Sequence, residues 1–342
     1  MELTIRKAME SITTNRILLP AIQRKFIWSS KQIEMLFDSI LRGYPINTLM
    51  MWKILDENLK VNYKFYSFIK DYTQRFHEDN DDVSTQFMSQ DFYAVIDGQQ
   101  RLTSIYIGLV GTYREKKPYL WWNDSEEAMP TKQLYIELTT ELDPEIDNEQ
   151  QYNFSFMSSD DLESDKKRNP NHCWFKVGDI LHFKNIGEVL DYINENNLSG
   201  NKFAVATLSK LFTLLDDKDI LKIIEIDDQD QDRVLEIFIR TNSGGTPLSF
   251  SDLLMSIASA NWSEFDAREE ISSVIKAIYK YGNPKFYVSK DFVLKSILVL
   301  SDVDVSFNFS INNTSLMSSF LIPIPVSETT ILTSIILFAT FE

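Results

Sequence analysis

The feature that most constrains the fold is a change of period inside residues 92–113, FYAVIDGQQRLTSIYIGLVGTY. Phe92 to Ile96 is a short run of aromatic and aliphatic residues, the composition of a buried strand. Beyond Gly98 the apolar positions recur at three- and four-residue spacing. Leu102, Ile105, Tyr106, Leu109 and Tyr113 then share one face of an amphipathic helix. A strand therefore turns on Asp97-Gly98 and feeds a helix whose first turn carries Gln99, Gln100 and Arg101. That turn exposes N–H groups without intrahelical acceptors, at the positive end of the helix dipole. A guanidinium is disfavoured there unless an anion answers it. Two readings fit the corner. Either a phosphate or carboxylate binds at the helix N-terminus, or Arg101 pairs with Asp97 or another core carboxylate and braces the turn.

The rest of the chain organises around this corner. Pro20 precedes Gln23-Arg24-Lys25-Phe26-Ile27-Trp28, and Ser29-x-x-Gln32 then forms a capping box for a helix with an Ile33, Leu36, Phe37, Ile40, Leu41 stripe. Gly43 stops that helix, and Thr48–Ile54 reads as a strand. Residues 56–91 are polar apart from the Tyr63–Phe68 piece, which suggests a strand followed by an exposed loop. Residues 116–130 read as a loop bearing an exposed Trp121-Trp122 pair, and strands are expected at 133–138 and 152–157. Residues 158–171 look turn-rich, and helices follow at about 177–195 and 202–217. Ile220–Ile226 is another strand, and Asp230 or Asp232 starts a helix with Val234, Ile237 and Phe238 facing inward. Ser249-x-x-Asp252 gives a second capping box, and the remainder is mostly helical with a loop at 301–315. The expected division is a core of 1–115 and 218–260, an inserted α/β segment at 116–217, and a helical region at 261–342. The apolar stretch Ile331–Ala339 is too short to span a bilayer and reads as a buried helix, expected to be the truncated edge of a longer protein.

Composition narrows the function classes. A formal net charge of −16 opposes a constitutive nucleic-acid clamp, although Arg6, Lys7, Arg16, Arg24, Lys25 and Lys31 give the first residues a basic bias. One cysteine, Cys173, permits neither an internal disulfide nor a thiolate zinc site, which fits a reducing cytoplasm. The N-terminus has no apolar signal segment. There is no Walker loop, no dinucleotide fingerprint and no G-x-S-x-G elbow. His172-Cys173 lacks partners at ligand spacing.

Three polar clusters stand at element ends, where ligand-facing side chains usually sit. They are Gln23-Arg24, Asp97 to Arg101 with Thr103, and Arg240 with Asn242-Ser243-Gly244-Gly245. The last offers backbone N–H groups and positive-φ freedom for an anion nest, or equally a plain helix stop.

The blocks LPAIQRKFIW…FDSILRGYPIN, VIDGQQRLTSIYIGL and VLEIFIRTNSGGTPLSFSDLL together resemble the DUF262 family, the N-terminal domain of GmrSD-type modification-dependent restriction systems. The resemblance spans roughly residues 1–260. It implies an α+β fold with a ParB/sulfiredoxin-like core and a small mixed sheet. It also implies binding and hydrolysis of a nucleoside triphosphate with Mg²⁺, used in phage defence to regulate cleavage of modified DNA. Asp97, Gln100 and Arg101 would be catalytic, with Asp97 also on the metal. Gln23, Arg24, Gly98, Gln99, Thr103, Arg240, Asn242, Gly244 and Gly245 would bind nucleotide. Asn47 stands where the family often has glycine after Pro-Ile.

A downstream His-rich nuclease block is not visible after residue 182, so the expected partners are NTP, DNA and a nuclease domain or subunit located elsewhere. No membrane partner is expected, and self-association into a homo-oligomer is left open. A rival reading is a DNA-sensing or partner-binding module without NTP turnover. A direct nuclease using loop carboxylates has the least support.

Overall fold

The computed structural model describes residues 2–85, 88, 90–143, 145, 150–242, 255, 267–281, 288–290, 292–294 and 296. They fall into two units, Met1–Pro20 with Lys25–Asp228, and Ala21–Arg24 with Gln229–Glu342.

The first unit opens with α1 (Ile5–Thr13), which the sequence reading did not anticipate. Thr4 accepts from the Lys7 N–H to cap it, and Ile5, Ala8, Met9 and Ile12 form its buried face. Strand β1 (Ile17–Pro20) is buried at every position. Helix α2 (Ser30–Arg42) carries the expected Ser29/Gln32 capping box, and Gly43 ends it at φ +83°. Its stripe of Ile33, Leu36, Phe37, Ile40 and Leu41 is buried.

A six-stranded mixed sheet follows, with strands in the order β11-β2-β6-β1-β3-β5. Here β2 is Leu49–Ile54, β3 is Phe65–Tyr66, β5 is Asp82–Val83, β6 is Phe92–Asp97 and β11 is Ile223–Ile226. Strand β6 lies inside the sheet, parallel to β1 and antiparallel to β2. With its helices, this mixed sheet makes the fold α+β.

Helix α4 (Gln99–Val110) departs from the amphipathic expectation. Besides Leu102, Ile105, Tyr106 and Leu109, it buries Thr103, Ser104, Ile107 and Gly108. The reason is that it is covered on several sides, by α2, by β7 (Thr112–Arg114) and β8 (Gln133–Glu137), and by a short 3₁₀ turn at Val177–His182. Gly108 allows the approach of α2, since a Cβ there would lie 2.4 Å from the Phe37 ring. A helix wrapped this way needs no polar face.

The second sheet has the order β10-β8-β9, with β9 at Phe154–Met157 and β10 at Trp174–Lys176, all antiparallel. Helix α2 docks beside it through two buried carboxylates one helical turn apart. Asp38 accepts from the N–H groups of Gln151 (2.9 Å) and Tyr152 (2.8 Å), and Glu34 accepts from Phe156 (3.0 Å). These bonds satisfy backbone donors in β9 and just before it. Burial nevertheless pushes the Glu34 carboxyl above its ordinary value.

Two stretches differ from expectation. Residues 158–171 contain a helix, α5 (Ser159–Arg168), capped by a Ser158/Asp161 box. Only Asp165 of that helix is buried, so it has no apolar stripe for periodicity to detect. The single helix expected at 177–195 is a 3₁₀ turn followed by a separate α6 (Ile186–Glu195), because Asn185 caps a new start. Helix α7 (Lys202–Leu214) matches expectation.

In the second unit, α8 (Gln231–Asn242) buries Val234, Leu235 and Phe238. A further helix covers Ala267–Tyr281. The capping box at Ser249, the loop at 301–315 and the apolar stretch at 331–339 lie outside the described residues. Among the described residues no helix is long and apolar enough to cross a membrane.

Candidate anion-binding corner

The corner begins where β6 slips register. Met50 pairs with Asp97 but Met51 pairs with Val95, so one extra residue of β6 is accommodated at the strand end. Such a bulge re-aims the side chains that follow it. The Asp97 carboxylate is left 43% exposed.

Gly98 then adopts φ +90° as the N-cap of α4, a conformation suited to glycine. A side chain there would also displace a neighbour, since its Cβ would sit 2.3 Å from Leu49 Cδ2. No side chain caps the helix, so its first-turn N–H groups are left for water or a ligand.

Gln99 and Gln100 are both buried, and one fixes the other. Gln100 Oε1 accepts from the Ile27 N–H, while its Nε2 donates to the Lys25 carbonyl, each at 3.0 Å. A donor on one side and an acceptor on the other settle which way this amide points. Gln100 Nε2 also donates to Gln99 Oε1 at 3.2 Å. Gln99 must therefore present its Nε2 elsewhere, and that atom is buried with no partner among the described residues. One turn further along the same face, Thr103 Oγ1 is also buried and unpartnered. Each such group costs about 1–3 kcal/mol unless something completes it.

Arg101 turns back rather than outward. Its Nη1 donates to the Ile46 carbonyl, and its Nη2 donates to the Thr48 carbonyl at 3.0 Å and to Asp97 Oδ2 at 3.3 Å. Burial pushes the guanidinium below its ordinary pKa, against the opposing pull of Asp97. Of the two sequence readings, the bracing role describes these contacts. Any anion at this corner meets Arg101 already engaged with the backbone.

The structure thus brings Asp97, Gly98, Gln99, Gln100, Arg101 and Thr103 together. Gln23, which is buried, and the half-buried Arg24 belong to the second unit. So do Arg240, which is exposed and pairs with Glu236 one turn back, and Asn242, the last residue of α8. Gly244 and Gly245 lie outside the described residues.

Sequence reasoning missed the carbonyls of Lys25, Ile46 and Thr48 as partners of the corner. The detectable signal was Asn47, which sits at φ +65°, a conformation asparagine tolerates better than most residues.

Two further titratable side chains, His172 and Cys173, have structural partners. His172 Nδ1 lies 2.9 Å from Asp165, which also accepts from Trp174 Nε1. Burial raises the pKa of the neighbouring Cys173 thiol, which makes it a poor nucleophile. Among the described residues, no group of three or more His, Cys, Asp or Glu side chains could hold a metal ion.

No curated protein matches this chain. A family model described as GmrSD restriction endonuclease, N-terminal domain, matches residues 5–259. With three quarters of its length in that match, the chain belongs to the GmrSD restriction endonuclease N-terminal domain family and is by that family a component of a restriction system.

Proposed function

We infer that the start of α4 binds the phosphates of a nucleoside triphosphate and that this chain is the NTP-hydrolysing, regulatory part of an antiphage restriction system in the cytoplasm. The observation that carries the reading is the Gln99 amide, 3% exposed in an uncapped first helical turn and left with an unpaired Nε2. A phosphate oxygen accepts from such a donor and from the helix N–H groups together. A ParB/sulfiredoxin-like core, as the sequence resemblance implies, would place this corner at the heart of the domain.

Asp97 is the one carboxylate of the corner with solvent access. A lone carboxylate suits Mg²⁺ that arrives with the nucleotide and keeps its waters, rather than a resident metal held by protein alone. Asp97 would hold that ion or orient the attacking water, and Gln100 would fix Gln99 in its donating orientation. A nuclease domain or partner subunit would cut the modified DNA.

Calorimetric titration with a non-hydrolysable ATP analogue and Mg²⁺ tests the binding step. Gln99→Met conserves volume and removes the buried donor. It should weaken binding about tenfold, the loss of one hydrogen bond to a charged group, with little change in melting temperature, because removal of the unpaired Nε2 offsets the lost bond from Gln100. Equal affinity in the two proteins would remove Gln99 from the site. Asp97→Asn should then retain nucleotide but stop phosphate release.

One observation favours binding without turnover. Arg101, the cation best placed to stabilise a transferring phosphoryl group, is committed to the Ile46 and Thr48 carbonyls. Tight binding with no phosphate release by the wild-type protein would select that second reading.

A further inference from the structure

Two loops emerge from the carboxyl ends of a small parallel strand pair, β4 (Asp71–Thr73) and β7. The first carries Arg75 and Phe76, and the second carries Lys116 through Trp122. They are tied together by Gln74, whose N–H donates to the Arg114 carbonyl at 3.0 Å and whose Oε1 accepts from the Lys116 N–H at 3.3 Å. The Arg75 guanidinium lies 3.9 Å from the centroid of the Trp122 ring, and Lys116 Nζ lies 5.5 Å from it.

Around that ring the surface is unusually aromatic. Tyr119 is fully exposed, Trp121 is 89% exposed and Phe76 is 47% exposed. Several large aromatic side chains left in the open on two loops tied to each other are a costly arrangement for a chain that only has to fold. Both loops also hold a bulky residue in the left-handed region, Arg75 at φ +68° and Tyr119 at φ +66°.

Charge decides what such a surface fits. Several acids of these loops are already engaged. Asp124 and Glu126 pair with Arg114, Glu115 pairs with Lys132, and Glu78 accepts from Tyr72 and from the Arg75 N–H. The Arg75 and Lys116 side chains pair with no carboxylate among the described residues, whereas Lys117 is close enough to Asp161 to help lower its pKa. In a chain of net charge −16, two cations that pair with no carboxylate, set beside exposed aromatic rings, form a local exception. Flat apolar faces flanked by cations match a ligand of flat rings joined by phosphates.

We propose that Arg75, Phe76, Lys116, Tyr119, Trp121 and Trp122 form a stacking platform for the unpaired bases of a DNA strand. DNA rather than RNA follows from membership of a restriction endonuclease family. Trp121 and Tyr119 offer open rings to the bases, Trp122 is held in place beneath its two cations, and Arg75 and Lys116 meet the flanking phosphates. The platform shares no residue with the α4 corner, so nucleotide binding there and strand binding here fail independently.

The test is fluorescence anisotropy of a labelled oligo(dT) of about twelve nucleotides with the full chain at about 50 mM salt. The wild-type protein should bind this strand more tightly than a duplex of the same length. Trp121→Ala and Tyr119→Ala are surface changes that should leave the melting temperature unchanged and weaken binding about tenfold. An abasic strand of equal charge should lose a similar factor. The proposal is overturned if the wild-type protein does not bind oligo(dT), or if the variants and the abasic strand bind as the intact pair does. It is equally overturned if Trp121→Ala abolishes concentration-dependent self-association without affecting strand binding.

Discussion

The guanidinium of Arg101 grips the chain on both sides of Asn47. It donates to the carbonyls of Ile46 and Thr48, while Asn47 itself sits at φ +65°. The helix that bears the DGQQR residues therefore sets the path of the chain into β2. The same side chain reaches Asp97 at 3.3 Å, so strand end, turn and helix are pinned by one cation.

Removing that cation should cost stability before it costs chemistry. Arg101→Ala leaves part-buried carbonyls without a donor, a loss of about 2–4 kcal/mol. Arg101→Lys should recover only a part, because an ammonium cannot fork between two acceptors as a guanidinium does. Urea denaturation measures both. A wild-type midpoint for Arg101→Ala would show that the contacts with Ile46 and Thr48 carry no weight. Loss of nucleotide binding in that variant is interpretable only beside this melt.

Asn47 should discriminate between substitutions by backbone alone. Asn47→Gly should be close to neutral, since glycine adopts a positive φ freely. Asn47→Val should cost about 1–2 kcal/mol, the penalty for a branched side chain in the left-handed region. Equal stability of the two variants would mean that the turn relaxes out of that conformation.

Much of the frame was legible from periodicity and capping, and the particular elements show where that stops. The Ser29/Gln32 box, the α2 stripe and the strand-to-helix change at Gly98 were visible because local chemistry and burial agree there. Helix α5 escaped notice because its faces are polar and its evidence was only the Ser158/Asp161 box. The full burial of α4 could not be read from its own residues, since it is imposed by strands and a 3₁₀ turn distant in sequence. The corner was visible as a motif, whereas the reversal of Arg101 toward Ile46 and Thr48 was not. Backbone carbonyls leave no mark in a sequence.

Acid should loosen the surroundings of α5 through Asp165. Burial alone would favour its protonated form, but hydrogen bonds from Trp174, Asn169 and His172 outweigh that and hold the carboxyl below its ordinary range. A folded value below the unfolded one contributes stability that is complete above the unfolded pKa, about 3.9, and is lost as pH falls through the folded value. The wild-type melting temperature should therefore drop on the acid side of about pH 4. Asp165→Asn should be less stable at neutral pH and show a shallower acid-side fall. Parallel curves for the two proteins would sink this assignment.

Gly98 provides the sharpest test of the corner. Gly98→Ala must place a Cβ 2.3 Å from Leu49 Cδ2 on a backbone at φ +90°, so strain and overlap add. The expected destabilisation is about 2–5 kcal/mol, from roughly 1–2 for the left-handed residue and 1–3 for the overlap. Leu49→Ala removes the atom in the way, so the double variant Gly98→Ala/Leu49→Ala should lose less than the sum of the single variants. The coupling read from a double-mutant cycle separates the overlap from the backbone cost. Strict additivity would mean that Gly98 and Leu49 do not meet, and that the turn feeding α4 runs along another path.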